Sequence, residues 1–225
     1  MQSIDAFVFD AYGTLFDVHS VSALAERLAP GQGLALSQLW RTKQLQYTWL
    51  QSLMMPMQPR EDFAAITTHA LDYAVSALVA PIDVQGRRAL LDAYRVLAPY
   101  PDAASTLARL APRPRMILSN GTRAMLDPLV DASGLAPLLD AVVSVDEADV
   151  YKPSPHVYRL AADRLGVPAA RIGFVSANGW DAAGARAFGF VTFWINRDGA
   201  PVERHAPEPH HRVATLADVA KLAGA

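Results

Sequence analysis

The chain has 225 residues, 52% of them hydrophobic, enough for one large domain or a core carrying a small insert. A formal net charge of -2 shows no basic surplus of the kind nucleic-acid binding uses, and the absence of cysteine excludes disulfides, thiolate metal sites and a cysteine nucleophile. The opening MQSIDAFVFD lacks a basic region followed by a long apolar run, and no stretch reaches the ~18 apolar residues of a membrane span. The expectation is a cytoplasmic protein without a nucleic-acid or membrane partner.

The first apolar run, Ala6 to Phe9, reads as a buried strand, being rich in aromatic and branched residues and too short for a helix. From Asp17 to Ala98 the pattern is helical: Val21 to Leu28, Ser37 to Met54, Glu61 to Leu78 and Val84 to Leu97. Breaks fall at Pro30-Gly31-Gln32-Gly33, at Met55 to Pro59 and at Pro81. After Pro99-Tyr100-Pro101 strands return at Met116 to Leu118, Ala141 to Val145, Ile172 to Val175 and Val191 to Ile195. Between them lie helices at Leu126 to Ala132, Val157 to Leu165 and Asp181 to Phe188, each followed by a glycine that serves as a C-terminal stop. The segment from Pro201 to His211 reads as irregular. Strand–helix alternation predicts an α/β fold. The core is a Rossmann-like open parallel sheet built from residues 1–16 and 99–225, with an all-helical insert over residues 17–98.

Ligands of open α/β sheets bind beyond the carboxyl ends of the strands. The residues there are Asp10 with Ala11-Tyr12-Gly13-Thr14, then Ser119-Asn120-Gly121, then Ser144 and Asp146 followed by Tyr151-Lys152-Pro153, then Ser176-Ala177-Asn178-Gly179-Trp180-Asp181. Any one of these polar residues is explained by helix capping. Capping does not ask for a lysine between two acids, so Asp10, Lys152 and Asp181 together point to chemistry. A carboxylate is a competent nucleophile toward carbon or phosphorus, and a nearby ammonium favours the charged form of a carboxylate. Backbone amides after the first strand, and at the helix start after Asn120-Gly121, can hold an anion. His205, His210 and His211 lack the spacing or carboxylates of a metal site, so a solvated loop is expected there and no metal.

Phe9-Asp10-Ala11-Tyr12-Gly13-Thr14-Leu15-Phe16-Asp17 resembles the first motif of the haloacid dehalogenase superfamily. Leu118-Ser119-Asn120-Gly121 is similar to its second motif, Lys152-Pro153 to its third and Ser176-Ala177-Asn178-Gly179-Trp180-Asp181 to its fourth. Trp40-Arg41-Thr42-Lys43-Gln44-Leu45, Tyr47-Thr48-Trp49-Leu50 and Phe193-Trp194-Ile195-Asn196-Arg197 resemble the (S)-2-haloacid dehalogenases within it. The resemblance makes the insert a helical cap. Phosphatases of this superfamily carry a second Asp two residues after the nucleophile and hold Mg²⁺ with carboxylates; this chain has Tyr12 there, and its fourth motif retains one carboxylate, Asp181.

The resemblance implies that Asp10 displaces halide from carbon 2 of a small halogenated carboxylic acid, with no cofactor. Arg41, Asn120 and Trp180 are implied to cradle the halide, and Thr14 and Ser119 to hold the nucleophile and the substrate carboxylate. Lys152 is implied to pair with Asp10 and Asp181, while Ser176, Asn178 and Asp181 orient the hydrolytic water. Ala11 contributes its backbone, Tyr158 lies near the substrate carboxylate, and Tyr12, Leu45, Phe63 and Trp180 line the apolar side. Thr42 stands where relatives often have Gln. Two other readings remain open at this point: a Mg²⁺-dependent phosphatase and a catalytically silent binding protein on the same scaffold. Relatives are often homodimers. Trp40, Tyr47 and Trp49 supply either such an interface or packing inside the cap.

Overall fold

A computed structural model of the chain describes residues 3–54, 59–204 and 206–225. The loop expected over Met55 to Pro59 lies outside the described residues except at Pro59, as do the first two residues and His205. The sheet contains β1 (Ala6–Phe9), β2 (Arg115–Ser119), β3 (Ala141–Ser144), β4 (Ile172–Ser176), β5 (Val191–Ile195) and β6 (His211–Val213). All pairings are parallel, in the order β3-β2-β1-β4-β5-β6. β1, β4 and β5 are buried along their whole length, as unbroken apolar runs must be when both faces of a parallel sheet are covered.

The five expected strands are present with ends shifted by at most one residue. β3 stops at Ser144 because the Ser144 hydroxyl accepts the Asp146 N–H and opens a single 3-10 turn, Val145–Ala148. β6 departs from the irregular segment expected up to His211; it is three residues long and sits on the sheet edge.

The helical insert contains α1 (Ser22–Leu28), α2 (Gly33–Met54), α3 (Phe63–Ala77) and α4 (Val84–Ala93). α2 packs between α1 and α3, and α4 touches both α1 and α3. The boundaries have local causes. α2 starts four residues before the expected Ser37 because the Glu26 carboxylate, reaching from α1, accepts the Gly31 and Gly33 N–H groups at 2.6 and 2.9 Å. Those two bonds hold the Glu26 carboxyl below its ordinary value. α3 starts at Phe63 and not Glu61 because Asp62 is its N-cap, accepting from the Ala65 N–H. α4 ends at Ala93, short of the expected Leu97, where bonds to residues three back tighten the chain before Pro99. The insert joins the core along two adjacent crossings, since Asp17 N–H donates to Ala98 O and Phe16 bridges to Pro99.

The remaining helices are α5 (Ala103–Arg109), α6 (Arg123–Ala132), α7 (Pro155–Leu165), α8 (Gly179–Phe188) and α9 (Leu216–Leu222). α6, α7 and α8 begin two or three residues earlier than expected; for α6 the cause is the Thr122 side chain, which caps it by accepting the Met125 N–H. α5 and α9 have no counterpart in the sequence reading, and α9 is opened by a Thr215–Asp218 capping box.

Trp40 packs inside the insert, its Nε1 donating to Thr67 O at 2.8 Å, and is no part of an exposed face. Trp49 meets Trp180 of the core edge to face at 5.4 Å. A second contact between insert and core runs through Arg60, which donates to Asp146 at 2.7 Å and Asp149 at 3.2 Å and lies over the Tyr151 ring. Among the described residues no helix is long and apolar enough to cross a membrane.

Candidate active site

The strand order reverses between β1 and β4, and the crevice at such a reversal is where an open α/β sheet leaves room for a ligand. Asp10 ends β1 there, its N–H donating to Val175 O of β4 at 2.9 Å. The turn that follows folds on Ala11 O, which accepts from the N–H groups of Thr14, Leu15 and Phe16. Gly13, at φ 85°, supplies the left-handed residue this turn requires. Arg197 pins the turn from the far side by donating to Gly13 O and Thr14 O, both at 3.0 Å, with its guanidinium 3.6 Å from the Tyr100 ring centre.

Both oxygens of the Asp10 carboxylate are held. Oδ1 accepts from Lys152 Nζ at 3.1 Å; Oδ2 accepts from Thr14 Oγ1 at 3.1 Å and Asn178 Nδ2 at 2.8 Å. The Thr14 hydroxyl in turn accepts the Ala177 N–H at 2.8 Å, so its single proton is directed at Asp10. Lys152 is fully buried and reaches Asp181 Oδ2 at 2.9 Å. Burial works to lower the Lys152 ammonium, but the two carboxylates outweigh it and hold the group above its ordinary value. Burial also pushes the Asp181 carboxyl up to about 6 against the pull of Lys152, with the charge of Asp10 adding to the rise.

The other predicted residues complete the wall. Asn120 Oδ1 accepts the Lys152 N–H at 3.1 Å, which commits its oxygen and leaves its NH₂ as donor. Ser119 Oγ accepts from Gly121 N–H and Ser176 Oγ from Asn178 N–H, each at 3.1 Å. Arg41 crosses from α2 to the core, where its Nη2 donates to Asn178 Oδ1 at 3.4 Å. A small cavity results, with Asp10, Arg41, Ser119, Asn120, Lys152 and Asn178 on its polar side. Tyr12, Leu45, Phe63 and Trp180 form its apolar side. Gly121 admits the Tyr12 ring, because a Cβ there sits 2.8 Å from a ring carbon. The Tyr12 hydroxyl is buried with no partner among the described residues, and burial raises it far above its ordinary value, so it stays protonated.

Some predicted residues stand behind the cavity and not on it. Thr14, Ser176 and Asp181 act through Asp10, Asn178 and Lys152, and Ala11 contributes only backbone. Tyr158 is fully buried and off the cavity wall, its hydroxyl donating to Asp181 Oδ1 at 2.8 Å. Thr42 is exposed, its hydroxyl donating back to Gln38 O. Three residues with no assigned role support the site: Arg197 under the nucleophile turn, and Gln44 and Tyr94 beside Arg41. The Arg197 motif is visible in the sequence, whereas Gln44 has the look of a solvated helix residue. His210 accepts the Thr192 N–H at its Nδ1, and His211 stacks on Phe193.

The arrangement offers a carboxylate nucleophile fixed on both oxygens, a buried cation, and a second cation and an amide donor lining the same cavity. It does not fit Mg²⁺. The space between the two carboxylates holds the Lys152 ammonium, and Tyr12 stands where a further acid is needed.

A family model described as haloacid dehalogenase-like hydrolase matches residues 4–189. The chain is 42% identical to the (S)-2-haloacid dehalogenase of Pseudomonas putida over 221 residues, covering 97% of this chain and 96% of that protein. Among solved structures it is similar to the crystal structure of an L-2-haloacid dehalogenase at a TM-score of 0.96 and 44% identity, with 100% of both chains covered. The L-2-haloacid dehalogenase of Xanthobacter autotrophicus with chloropropionic acid covalently bound matches at a TM-score of 0.89 and 42% identity, over 97% of this chain and 98% of that one.

Proposed function

This chain belongs to the haloacid dehalogenase-like hydrolases, and we propose that it hydrolyses short (S)-2-haloalkanoic acids to (R)-2-hydroxy acids and halide through an ester on Asp10. The observation that carries this reading is the Asp10 carboxylate, held on both oxygens beside a buried lysine, with Tyr12 and not an acid two residues further on. A halide needs no proton to leave, so a site without a general acid at that position suits a carbon–halogen bond.

In the first step an Asp10 oxygen attacks carbon 2 opposite the carbon–halogen bond; the C–O bond forms, the halide leaves with the bonding pair, and the centre inverts. Arg41, Asn120 and Trp180 stabilise the charge growing on the halide. Ser119 and the amides after β1 hold the substrate carboxylate. In the second step water adds to the Asp10 side-chain carbonyl carbon and the ester C–O bond at that carbon breaks. The hydroxy acid keeps the original Asp10 oxygen and the carboxylate is regenerated with one oxygen from water. Asn178, held by Ser176, orients that water; Lys152, on the cavity wall, takes a proton from it while passing its own to Asp181. On collapse that proton returns to the leaving oxygen of the hydroxy acid, and the remaining proton on the Asp10 carboxyl passes to solvent. The first-step products carry no new charge on Lys152, which stays paired with Asp181 while the ester exists.

The helical segment 17–98 is read as a cap domain over a core of residues 1–16 and 99–225, with Arg41, Leu45 and Phe63 as its contributions to the pocket. A cytoplasmic location and a homodimer belong to the same reading, supported by a cysteine-free chain and by Leu50, Leu53 and Met54 exposed near the end of α2.

The enzyme is expected to release chloride and (R)-lactate from (S)-2-chloropropionate, and to release no phosphate from p-nitrophenyl phosphate with Mg²⁺. Phosphate release without chloride release refutes the proposal. Arg41→Ala is expected to slow chloride release roughly 10²- to 10³-fold, the usual effect of losing one transition-state donor, with little change in thermal stability. An equal loss of stability and activity counts against the role given to Arg41.

Asp181 must be ionised to take up that proton, and while Asp10 is charged its carboxyl sits at about 6. In the ester Asp10 carries no charge, so this carboxyl lies lower than in the free enzyme, and decay of the ester in a single turnover is expected to fall roughly tenfold per pH unit once pH drops below its ester-state value. Wild-type ester decay by Asp181→Asn excludes Asp181 as the proton acceptor.

A further inference from the structure

We infer that Gln44, locked by Thr67, is a positioning residue that aims the Arg41 guanidinium at the leaving halide; the inference rests on the role for Arg41 proposed above. Gln44 lies three residues after Arg41 on α2 and is completely buried. Its Oε1 accepts from Arg41 Nη1 at 2.7 Å and from the Tyr94 hydroxyl at 3.3 Å. Its Nε2 donates to Thr67 Oγ1 at 2.7 Å, and Thr67 Oγ1 donates to Phe63 O at 2.6 Å.

The direction of these bonds fixes the amide. A threonine hydroxyl has one proton, and this one goes to the Phe63 carbonyl. The oxygen can then only accept, so Gln44 must turn its NH₂ toward Thr67 and its oxygen toward Arg41. The reverse orientation sets an N–H donor against the guanidinium and leaves the Thr67 oxygen without a donor, a costly outcome in a buried cluster. Thr67 and Tyr94 are themselves buried, and the Tyr94 ring is wedged between Tyr12 at 5.5 Å and Trp40 at 5.1 Å. A chain of side chains anchored on the α3 backbone thus ends on one face of the Arg41 guanidinium. The opposite end of the same group reaches Asn178, which also holds Asp10. Arg41 is the long, flexible member of the site. Misplacing such a group by about 1 Å costs up to ~100-fold in rate.

The test is single-turnover halide release from (S)-2-chloropropionate and (S)-2-bromopropionate. Gln44→Leu is expected to slow chloride release roughly 10- to 100-fold. Bromide release should suffer less, because the better leaving group needs less stabilisation in the transition state. Thr67→Val keeps the side-chain shape but removes the lock, and should lower chloride release in the same direction. Thr67→Ser restores the hydroxyl and should recover the rate. On an Arg41→Ala background, Gln44→Leu should add almost nothing, since the two act as one unit. Equal losses for both halides, a full Gln44→Leu loss on that background, or wild-type release by Thr67→Val each overturn the inference. If Gln44→Leu does not fold, the Thr67→Val and Thr67→Ser pair decides it. Wild-type chloride release by Arg41→Ala overturns the role of Arg41 and this inference together. A normal Arg41→Ala loss with an unaffected Gln44 variant overturns this inference alone.

Discussion

Asp10→Asn is expected to lower halide release from (S)-2-chloropropionate by roughly 10⁴-fold or more while leaving the fold about as stable as the parent. The loss of rate follows because a neutral amide has no comparable nucleophilic oxygen. The retained stability follows from the charge balance of the buried cluster. Two carboxylates, Asp10 and Asp181, share one ammonium, Lys152, with side-chain exposures of 8, 1 and 1%. Ionised, the cluster carries one surplus negative charge. The asparagine removes it, keeps an oxygen for Lys152 and leaves Lys152 and Asp181 as a neutral pair; its NH₂ then faces the Thr14 and Asn178 donors, which offsets part of the gain. Thermal melts beside a halide assay check both halves. A variant that loses activity only because it melts at lower temperature contradicts the account. Slow recovery of activity on standing is consistent with it, as deamidation regenerates Asp10.

Lys152→Met has the opposite signature. It removes the cation that bridges two buried acids, and breaking a buried pair from one side costs about 3–5 kcal/mol. Activity should fall more than about a hundredfold, since Oδ1 of the nucleophile loses its donor. The pH dependence is the sharper check. In the parent, Lys152 pulls the Asp181 carboxyl down against burial and still leaves it at about 6, above the ordinary 3.8. Without Lys152 the folded value rises further. A carboxyl raised in the folded state binds more protons there than when unfolded, so its contribution to stability is fully present below the unfolded value and is lost as pH rises through the folded one. Urea denaturation of the variant should therefore show stability falling from pH 4 through pH 6 and beyond, more steeply than in the parent. A loss of stability that does not change with pH places the defect in packing.

The reacting side of the site was legible in the sequence because strand ends are legible. Asp10, Ser119, Lys152, Asn178 and Asp181 follow short apolar runs that only a parallel sheet accommodates, and the sheet order carries them to one crevice. Arg41 was reachable only through the likeness of its helix to known dehalogenases, since nothing in an amphipathic pattern separates it from a solvated arginine. Gln44 and Thr67 were invisible because their role depends on which proton goes where between two helices, a tertiary fact without periodicity. β6 and α9 escaped for a simpler reason. A three-residue edge strand and a seven-residue helix fall below the length at which hydrophobic spacing is informative.

The account stands on an oxygen of Asp10 becoming the oxygen of the product. Single-turnover hydrolysis of (S)-2-chloropropionate in ¹⁸O-water, with enzyme in excess, followed by mass spectrometry of the peptide containing Asp10 and of the lactate, tests this directly. The prediction is label in the Asp10 carboxylate and none in the lactate hydroxyl. Label in the lactate hydroxyl with none in Asp10 means that water attacks carbon 2 itself, and contradicts the ester mechanism.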